Sequence, residues 1–258
     1  MSVVREQDLS TPEVKKLAEG LYARVAIDNM GWADMGGYRL VVDALEQPDE
    51  EESVFRAMEE TVGTEQVRYL INTHLHGDHT VLNDAFRERL DTEIVNYRQS
   101  DIPEDGRWFR GEKRRALVLP LGGCHTPNDC AVWFPEDSVL FAGDLFGWGL
   151  IPVSGNLREP NRQRLLSVVD RMIELQPRIV VPGHGPLCGG RELARWRRYF
   201  TALVADVKDA CARGLSDDQI REQLPPPEDM ADWWRFRQWK HDDSLRKVIK
   251  AVRRGFLS

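Results

Sequence analysis

The stretch Thr73-His74-Leu75-His76-Gly77-Asp78-His79 decides how this chain of 258 residues folds and what chemistry it can support. It follows directly on residues 67–72, an apolar run with the length of a buried strand. Two histidines two positions apart at a strand end project to the same side, and Gly77 lets the backbone turn sharply behind them. Four imidazole or carboxylate groups gathered in one turn are costly to bury without a cation to compensate them.

Three further side chains of the same chemical kind follow short apolar strands later in the chain. Residues 117–121 precede His125, residues 139–142 precede Asp144, and residues 179–181 precede His184. In α/β folds the ends of strands at one edge of a sheet bring such groups into one crevice, so we expect all of them to converge. Imidazole and carboxylate are the usual ligands of zinc and similar divalent ions. The candidate metal ligands are therefore His74, His76, Asp78, His79, His125, Asp144 and His184.

The order of these groups resembles the metallo-β-lactamase-fold hydrolase superfamily. The motif H-x-H-x-D-H covers residues 74–79, and single His, Asp and His residues follow in Gly-Asp and Pro-Gly-His-Gly contexts, so that the likeness spans roughly residues 17–190. The resemblance implies an α/β (α+β) fold, an αββα four-layer sandwich of two mixed β-sheets flanked by helices. An aspartate at position 144 is typical of the glyoxalase II-like, lactonase and phosphodiesterase branches, so the superfamily name does not define the substrate.

The resemblance also implies two metal positions that share one ligand. The first would be held by His74, His76 and His125. The second would be held by Asp78, His79 and His184, with Asp144 bridging both. The implied cofactors are two divalent metal ions, most simply Zn²⁺, with iron or manganese as alternatives.

Two such cations would share a water and lower its pKa from about 15.7 toward neutrality, which generates hydroxide at cellular pH. We expect this bridging hydroxide to cleave an ester-type carbonyl bond in a small-molecule substrate, such as a thioester, a lactone or a β-lactam-like ring. Asp78 is the predicted catalytic residue, since it is placed to orient the hydroxide and to move its proton. The expected enzyme is a zinc-dependent, or other divalent-metal, hydrolase.

Three alternatives remain open on the same residues. A phosphodiesterase or nuclease-type hydrolase would use the same pair of metals on phosphorus. A mononuclear iron oxidoreductase like the sulfur dioxygenases of this fold would need only His74, His125 and Asp144. A non-catalytic binding protein would be expected to have lost ligands, whereas all seven positions are intact.

Composition limits the remaining function classes. Hydrophobic content of 41% and charged content of 30% are ordinary for a globular protein, and the net charge of −7 argues against a nucleic-acid partner. No apolar run approaches the roughly 18 residues of a membrane span, and the start of the chain has no apolar core of signal-peptide length. The four cysteines form no C-x-x-C pair. We therefore expect a cytoplasmic protein with reduced thiols and no membrane partner.

Hydrophobic periodicity predicts strands and helices along the first 190 residues. The predicted strands are residues 21–27, 38–43, 67–72, 93–97, 116–121, 130–134, 138–142 and 178–181. The predicted helices are residues 49–62, 81–90 and 161–175. Residues 98–115 are expected to form a polar loop.

The composition changes after Gly189-Gly190 and predicts a boundary between residues 1–190, the catalytic domain, and residues 191–258, a C-terminal helical extension packed on it. Helices are predicted over 191–213, 216–224 and 229–255. The extension contains four of the eight tryptophans, Trp196, Trp233, Trp234 and Trp239. We favour core packing or a homodimer contact for this stripe, and a roof over the pocket is the alternative.

Several residues near the predicted ligands have two interpretations each. Asn72, Thr73 and Asp43 are candidates to fix the imidazole rings, although Asp43 could equally cap a turn. Cys124 is expected to be a small buried residue rather than a pocket thiol.

Residues 146–152 and His241 are also ambiguous. The loop could be a wall of the substrate pocket or a plug in the core. His241 lies outside the metal pattern, and a contact with substrate is the less favoured of its interpretations.

Overall fold

The computed structural model of the protein describes residues 9–97 and 102–257. A six-stranded sheet contains the first half of the chain. Its strands, in spatial order, are β1 (Glu13–Ala18), β2 (Leu21–Val25), β3 (Met30–Asp34), β4 (Arg39–Val42), β5 (Val67–Ile71) and β6 (Glu93–Val95). Strands β1 to β4 pair antiparallel, whereas β5 lies parallel to β4 and β6 parallel to β5.

A five-stranded sheet contains the second half. Its strands, in chain order, are β7 (Arg107–Arg110), β8 (Arg115–Pro120), β9 (Cys130–Phe134), β10 (Val139–Gly143) and β11 (Ile179–Pro182). In space the order is the reverse, with β11 at one edge and β7 at the other. Strands β7 to β10 pair antiparallel and β11 pairs parallel with β10, so both sheets are mixed.

Six α-helices accompany the sheets in the described part of the chain. They are α1 (Glu51–Thr61), α2 (Asn83–Leu90), α3 (Glu159–Glu174), α4 (Gly190–Ala212), α5 (Asp217–Gln223) and α6 (His241–Arg253). Short 3-10 turns occur at Pro48–Glu50, Gly77–His79 and Glu228–Met230, and a π-helical segment occupies Phe236–Lys240. Among these described residues, no helix is long and apolar enough to cross a membrane.

Alternating side chains of the first sheet separate two hydrophobic clusters. On β4, Val41 belongs to the cluster that contains Phe55 of α1 and Phe86 of α2, whereas Leu40 belongs to the larger cluster shared with the second sheet. Successive residues of a strand point to opposite faces, so this division places helices on one face and the second sheet on the other. The larger cluster continues through the second sheet to α3 and α4. The predicted αββα sandwich is confirmed.

Three strands were missed by the sequence prediction, and the loop predicted over residues 98–115 is wrong for its second half. Strand β7 is an edge strand in which Phe109 alone is buried, so its arginines and exposed Trp108 hide the alternating pattern. Strand β3 contains Gly31, where an added Cβ would lie 2.3 Å from a ring carbon of Phe141. Close contact between the sheets, rather than strand propensity, selects that glycine. Strand β1 is also an edge strand and is largely exposed.

The helix predicted over residues 229–255 is wrong in its first half. The regular helix begins only at His241, and the chain before it turns through Arg235, whose backbone is left-handed with φ of 55°. Tertiary packing explains the break, because Phe236 packs so closely on Gly149 that a Cβ there would lie 2.2 Å from the ring. The division at residue 190 and the homodimer contact stay predictions.

Candidate metal centre

All seven predicted ligands meet in one crevice at the ends of strands β5, β8, β10 and β11. They form two groups in which one ligand atom from each residue lies within 4.8 Å of the others. The first group contains His74, His76, His125 and Asp144, and the second contains Asp78, His79, His184 and Asp144. Asp144 belongs to both groups. The candidate ligand side chains therefore converge in the described structure, as their positions at strand ends predicted.

Hydrogen bonds to the outer nitrogens of His125 and His184 aim the inner nitrogens of these rings at the crevice. The Nδ1 atom of His125 lies 3.0 Å from the carbonyl oxygen of Pro152, and Nδ1 of His184 lies 3.0 Å from that of Ile27. A carbonyl oxygen can only accept, so both rings carry their proton on Nδ1 when neutral. Their Nε2 lone pairs are then free to bind a cation.

A buried carboxylate holds His79 in the same way. Asp43 lies at the end of β4 with a left-handed backbone, and its Oδ2 atom is 2.9 Å from Nδ1 of His79. Its Oδ1 atom accepts a 2.7 Å hydrogen bond from the backbone N–H of Thr73. The hydroxyl of Thr73 lies 2.8 Å from Oδ2 of Asp43 and 3.3 Å from Nδ1 of His74. Of the two interpretations of Asp43, the structure favours the one that positions imidazoles.

The backbone around the ligands is fixed by two further polar side chains. Asn72 donates a 2.9 Å hydrogen bond to the carbonyl oxygen of His79. Asp129, which is buried, accepts from the backbone N–H groups of His125 at 2.8 Å and Thr126 at 2.7 Å. Sequence analysis missed Asp129, and its only signal was a carboxylate four residues after a ligand and just before a strand.

Unpaired polar atoms show that the crevice fits a metal. The Nε2 atoms of His74 and His79 and the Oδ1 atom of Asp144 are buried without a hydrogen-bond partner. Such atoms cost free energy unless something satisfies them. In addition, Nδ1 of His76 and Nε2 of His125 lie 3.0 Å apart, so a proton or a cation has to separate their lone pairs. Divalent cations satisfy all of these atoms at once.

The charge balance of the crevice also suits a cation. The pKa of Asp78 is lowered to about 2, mainly because its carboxylate accepts a hydrogen bond from His184. Burial disfavours the imidazolium of His184, but the adjacent carboxylates of Asp144 and Asp78 outweigh it and raise the pKa of His184 to about 10. Burial lowers the pKa of His74 to about 3, so this ring is neutral and available as a ligand. A metal would therefore replace a proton beside Asp78 and Asp144.

A cavity of about 190 Å³ opens beside this centre. Part of its wall comes from the loop that follows Asp144, through Leu150 and Pro152, while Phe146 and Trp148 of the same loop pack in the core. Trp234 and Trp239 complete the cavity from the C-terminal extension. Both interpretations of the loop thus hold for different residues. Of the four C-terminal tryptophans, Trp196 packs in the core, as favoured, whereas Trp234 and Trp239 take the alternative position over the pocket.

Lys240 lines the same cavity and was not predicted as a site residue. Its side chain is 3% exposed, and Nζ donates a 2.9 Å hydrogen bond to the carbonyl oxygen of Gly147. The ammonium lies 4.1 Å from the centre of the Trp234 ring. Burial lowers the pKa of Lys240 to about 7. The left-handed backbone of Arg235 and the π-helical segment after it bring Lys240 here, which an α-helical pattern could not show.

His241 and Cys124 have other surroundings. Nδ1 of His241 lies 2.9 Å from the hydroxyl of Tyr199, and Nε2 lies 2.8 Å from the carbonyl oxygen of Leu224. Both ring nitrogens are thus bonded within the helical extension, and His241 is not among the residues that line the cavity. Burial raises the pKa of Cys124 to about 12, so its thiol is protonated and fits the expected role of a small buried residue.

The fold and the centre together define a class of protein, the metal-dependent hydrolases built on an αββα sandwich. The family model of the metallo-beta-lactamase superfamily matches residues 29–99 and 92–184, which is more than half of the chain. This protein belongs to the metallo-β-lactamase superfamily.

Two curated relatives are similar over most of the chain. A hydroxyacylglutathione hydrolase from Rhodospirillum rubrum is 26% identical over 189 residues, which cover 69% of this chain and 68% of that protein. The alpha subunit of 2,4-dinitroanisole O-demethylase from Nocardioides sp. is 25% identical over 231 residues, which cover 80% of this chain and 65% of that subunit. The chain thus spans about two thirds of the length of these relatives.

Solved structures share the fold at low sequence identity. A metallo-beta-lactamase from Pontibacter korlensis superposes with a TM-score of 0.59 at 16% identity, over 73% of this chain and 98% of that one. The inverting sec-alkylsulfatase from Pseudomonas sp. superposes with a TM-score of 0.72 at 12% identity, over 94% of this chain and 50% of that one. A match over 94% has to include most of residues 191–258, so the helical extension also has a counterpart in that fold.

Proposed function

We propose that this protein is a divalent-metal hydrolase that cleaves an ester-type carbonyl bond, such as a thioester, a lactone or a β-lactam-like ring, in a small molecule. The observation that carries this proposal is the pair of ligand groups that share Asp144 and face one cavity. His74, His76 and His125 would hold one cation, and Asp78, His79 and His184 the other. Five imidazoles with two carboxylates suit Zn²⁺ best, and iron or manganese next.

When bound, divalent cations polarise a substrate oxygen and make water more acidic. The protein's own side chains would then orient the reactants. Asp78 is half-buried, and its lowered pKa keeps it ionised at neutral pH. One of its oxygens lies 3.0 Å from Nε2 of His184. An ionised carboxylate at this position accepts a hydrogen bond from an attacking water and can take up its proton, which supports the catalytic role proposed for Asp78.

The cavity supports a small substrate with an apolar part. Its volume of about 190 Å³ is below the 300–1,000 Å³ of most pockets for drug-sized ligands. Ile27, Leu150, Pro152 and Trp239 provide apolar walls beside the ligands. The similarity to a relative named as a hydroxyacylglutathione hydrolase supports an acyl substrate, and the net charge of −7 argues against a nucleic-acid substrate.

A substrate panel on the purified full chain, loaded in turn with zinc, manganese or iron, tests this proposal. The panel contains a thioester, an acyl-homoserine lactone, a β-lactam and a chromogenic phosphodiester. We expect the highest kcat/KM for one of the three carbonyl substrates with zinc. The variant Asp137→Asn serves as a matched control, because Asp137 pairs with Arg114 away from the centre.

Two results would replace the proposal with another activity. A phosphodiester cleaved with a kcat/KM well above that of every carbonyl substrate would identify a phosphodiesterase. One iron per chain together with oxygen uptake on a persulfide substrate would identify an oxidoreductase that uses His74, His125 and Asp144.

A further inference from the structure

Two cations share one tryptophan ring at the roof of the cavity. The Nζ atom of Lys240 lies 4.1 Å from the ring centre of Trp234, and the guanidinium carbon of Arg235 lies 4.7 Å from it. Both residues line the cavity that contains His125 and Asp144. Two like charges on one ring repel each other, and a buried ammonium loses hydration. The arrangement therefore has a free-energy cost that an anion would relieve.

No acidic side chain relieves this cost directly. Among the described residues, the ion pairs within 4.0 Å include neither Lys240 nor Arg235, and the hydrogen bond described for Lys240 is to the carbonyl oxygen of Gly147. Asp144 attracts Lys240 through space, but its carboxylate belongs to both metal groups. In the described part of the chain, both side chains therefore lack a carboxylate partner within 4.0 Å, and an anion in the cavity could take that place.

The fold fixes the backbone that presents both side chains, and it buries Lys240. Arg235 has a left-handed backbone, and Lys240 ends the π-helical segment Phe236–Lys240. Gly149 lets Phe236 pack directly against the loop that follows Asp144. The two side chains are therefore presented by a segment packed on the pocket wall, and a preorganised site loses less free energy when it binds.

We propose that Lys240 and Arg235 form an anion-binding subsite that selects substrates in which an apolar body carries a negatively charged group away from the bond that is cleaved. The inference rests on the proposed function, because it assigns the substrate class of the same cavity. The shared chemistry is an organic anion with a carboxylate, sulfate or phosphate group. Trp239, Leu150 and Pro152 would contact its apolar body.

Binding of an unreactive pair of probes tests the subsite. Hexane-1-sulfonate and hexan-1-ol have the same apolar chain and differ in charge, and a sulfonate is a poor ligand for zinc. Isothermal titration of the zinc-loaded full chain is expected to show at least tenfold tighter binding of the sulfonate. Lys240→Met should remove that preference, whereas Lys240→Arg should retain most of it. Lys250→Met, an exposed change in the following helix α6, is the matched control that should bind like the unchanged protein.

Equal affinity for sulfonate and alcohol would overturn the inference, as would an unchanged sulfonate preference in Lys240→Met. If circular dichroism shows that Lys240→Met does not fold, the exposed Arg235→Gln variant takes its place, with an expected loss of at least threefold in sulfonate affinity. If Arg235→Gln then bound the sulfonate as tightly as the unchanged protein does, the inference would be overturned.

Ester kinetics provide a second measurement on the same variants. Phenyl acetate and monophenyl succinate have the same leaving group, and the second carries an added carboxylate. The ratio of kcat/KM for the charged over the neutral ester should fall at least tenfold in Lys240→Met, and an unchanged ratio would contradict the inference. Sulfonate binding that depends on Lys240, in a protein that cleaves neither the phenyl esters nor any carbonyl substrate of the panel, would refute the proposed hydrolysis and leave the subsite standing.

Discussion

Replacing Asp43 by Asn should weaken one metal position without removing any ligand. The carboxylate accepts from the backbone N–H of Thr73 at 2.7 Å, from the Thr73 hydroxyl at 2.8 Å and from Nδ1 of His79 at 2.9 Å. Asparagine keeps the shape but offers one acceptor oxygen and one NH₂ group. If the oxygen stays with the Thr73 N–H, the NH₂ group faces Nδ1 of His79 and requires that atom to accept.

That change moves the proton of His79 to the wrong nitrogen. The ring would carry hydrogen on Nε2, the atom that faces Asp78 and Asp144 and that is otherwise free to bind a cation. Loss of a partner that orients a ligating histidine typically costs 10–100-fold in metal affinity or activity. This is about 1.4–2.7 kcal/mol, and we expect the loss at the position built from Asp78, His79 and His184.

Competition with a chromogenic zinc chelator measures both affinities on the purified chain. We expect Asp43→Asn to retain one zinc with nearly unchanged affinity and to bind the second 10–100-fold more weakly. Asp137→Asn removes a carboxylate from the ion pair with Arg114 and should bind both zinc ions normally. Two zinc ions bound by Asp43→Asn with the affinities of the unchanged protein would refute the reasoning about the His79 tautomer.

Four further variants probe the centre and its roof. Asp144→Ala and Asp78→Ala should each abolish the dominant activity while circular dichroism remains native, and full turnover in either variant would contradict the mechanism. Lys240→Met should stabilise the protein most near pH 6. The pKa of Lys240 is about 7 in the folded protein and 10.5 for the free amine, so between these pH values the unfolded chain binds more protons than the folded one. The unchanged protein should therefore gain stability as the pH rises through this range, and the variant should not. Urea unfolding at pH 6 and 10 checks this, and parallel curves would count against a buried ammonium. Gly183→Ala should lower zinc content in metal analysis, because its Cβ would lie 2.1 Å from Oδ1 of Asp144, and normal content would show that the carboxylate can move aside.

Local hydrophobic patterns in the sequence were sufficient to predict the strands that precede the candidate ligands. Strand β5 leads directly into His74 and His76, and strand β11 leads into His184, because a buried strand shows itself as a short apolar run. The edge strands β1 and β7 were missed for the opposite reason, since one exposed face and few neighbours leave little hydrophobic signal. Edge position depends on the order of strands in space, which a local pattern does not contain.

Helical periodicity failed where distant contacts override it. Residues 229–240 have a composition that favours a helix, but Phe236 packs on Gly149 and Arg235 turns with a positive φ. The same contacts carry Lys240 to the cavity. A prediction from spacing alone assigns these side chains to faces of a helix that does not form.

The sequence by itself identified the seven side chains that meet in the crevice, because they follow the ends of β5, β8, β10 and β11, and neighbouring strand ends meet at one edge. Only the tertiary structure decided that Asp43 and Asp129 position imidazoles and loop backbone, and that Lys240 and Arg235 lie over the cavity without an acidic partner among the described residues. The physical reason is how far apart in the sequence the interacting residues are. Ligand placement depends on neighbours along the chain, whereas buried hydrogen bonds and the charge environment of a pocket depend on residues far apart in the sequence. Gly147 and Lys240 are 93 positions apart, and Ile27 and His184 are 157 apart.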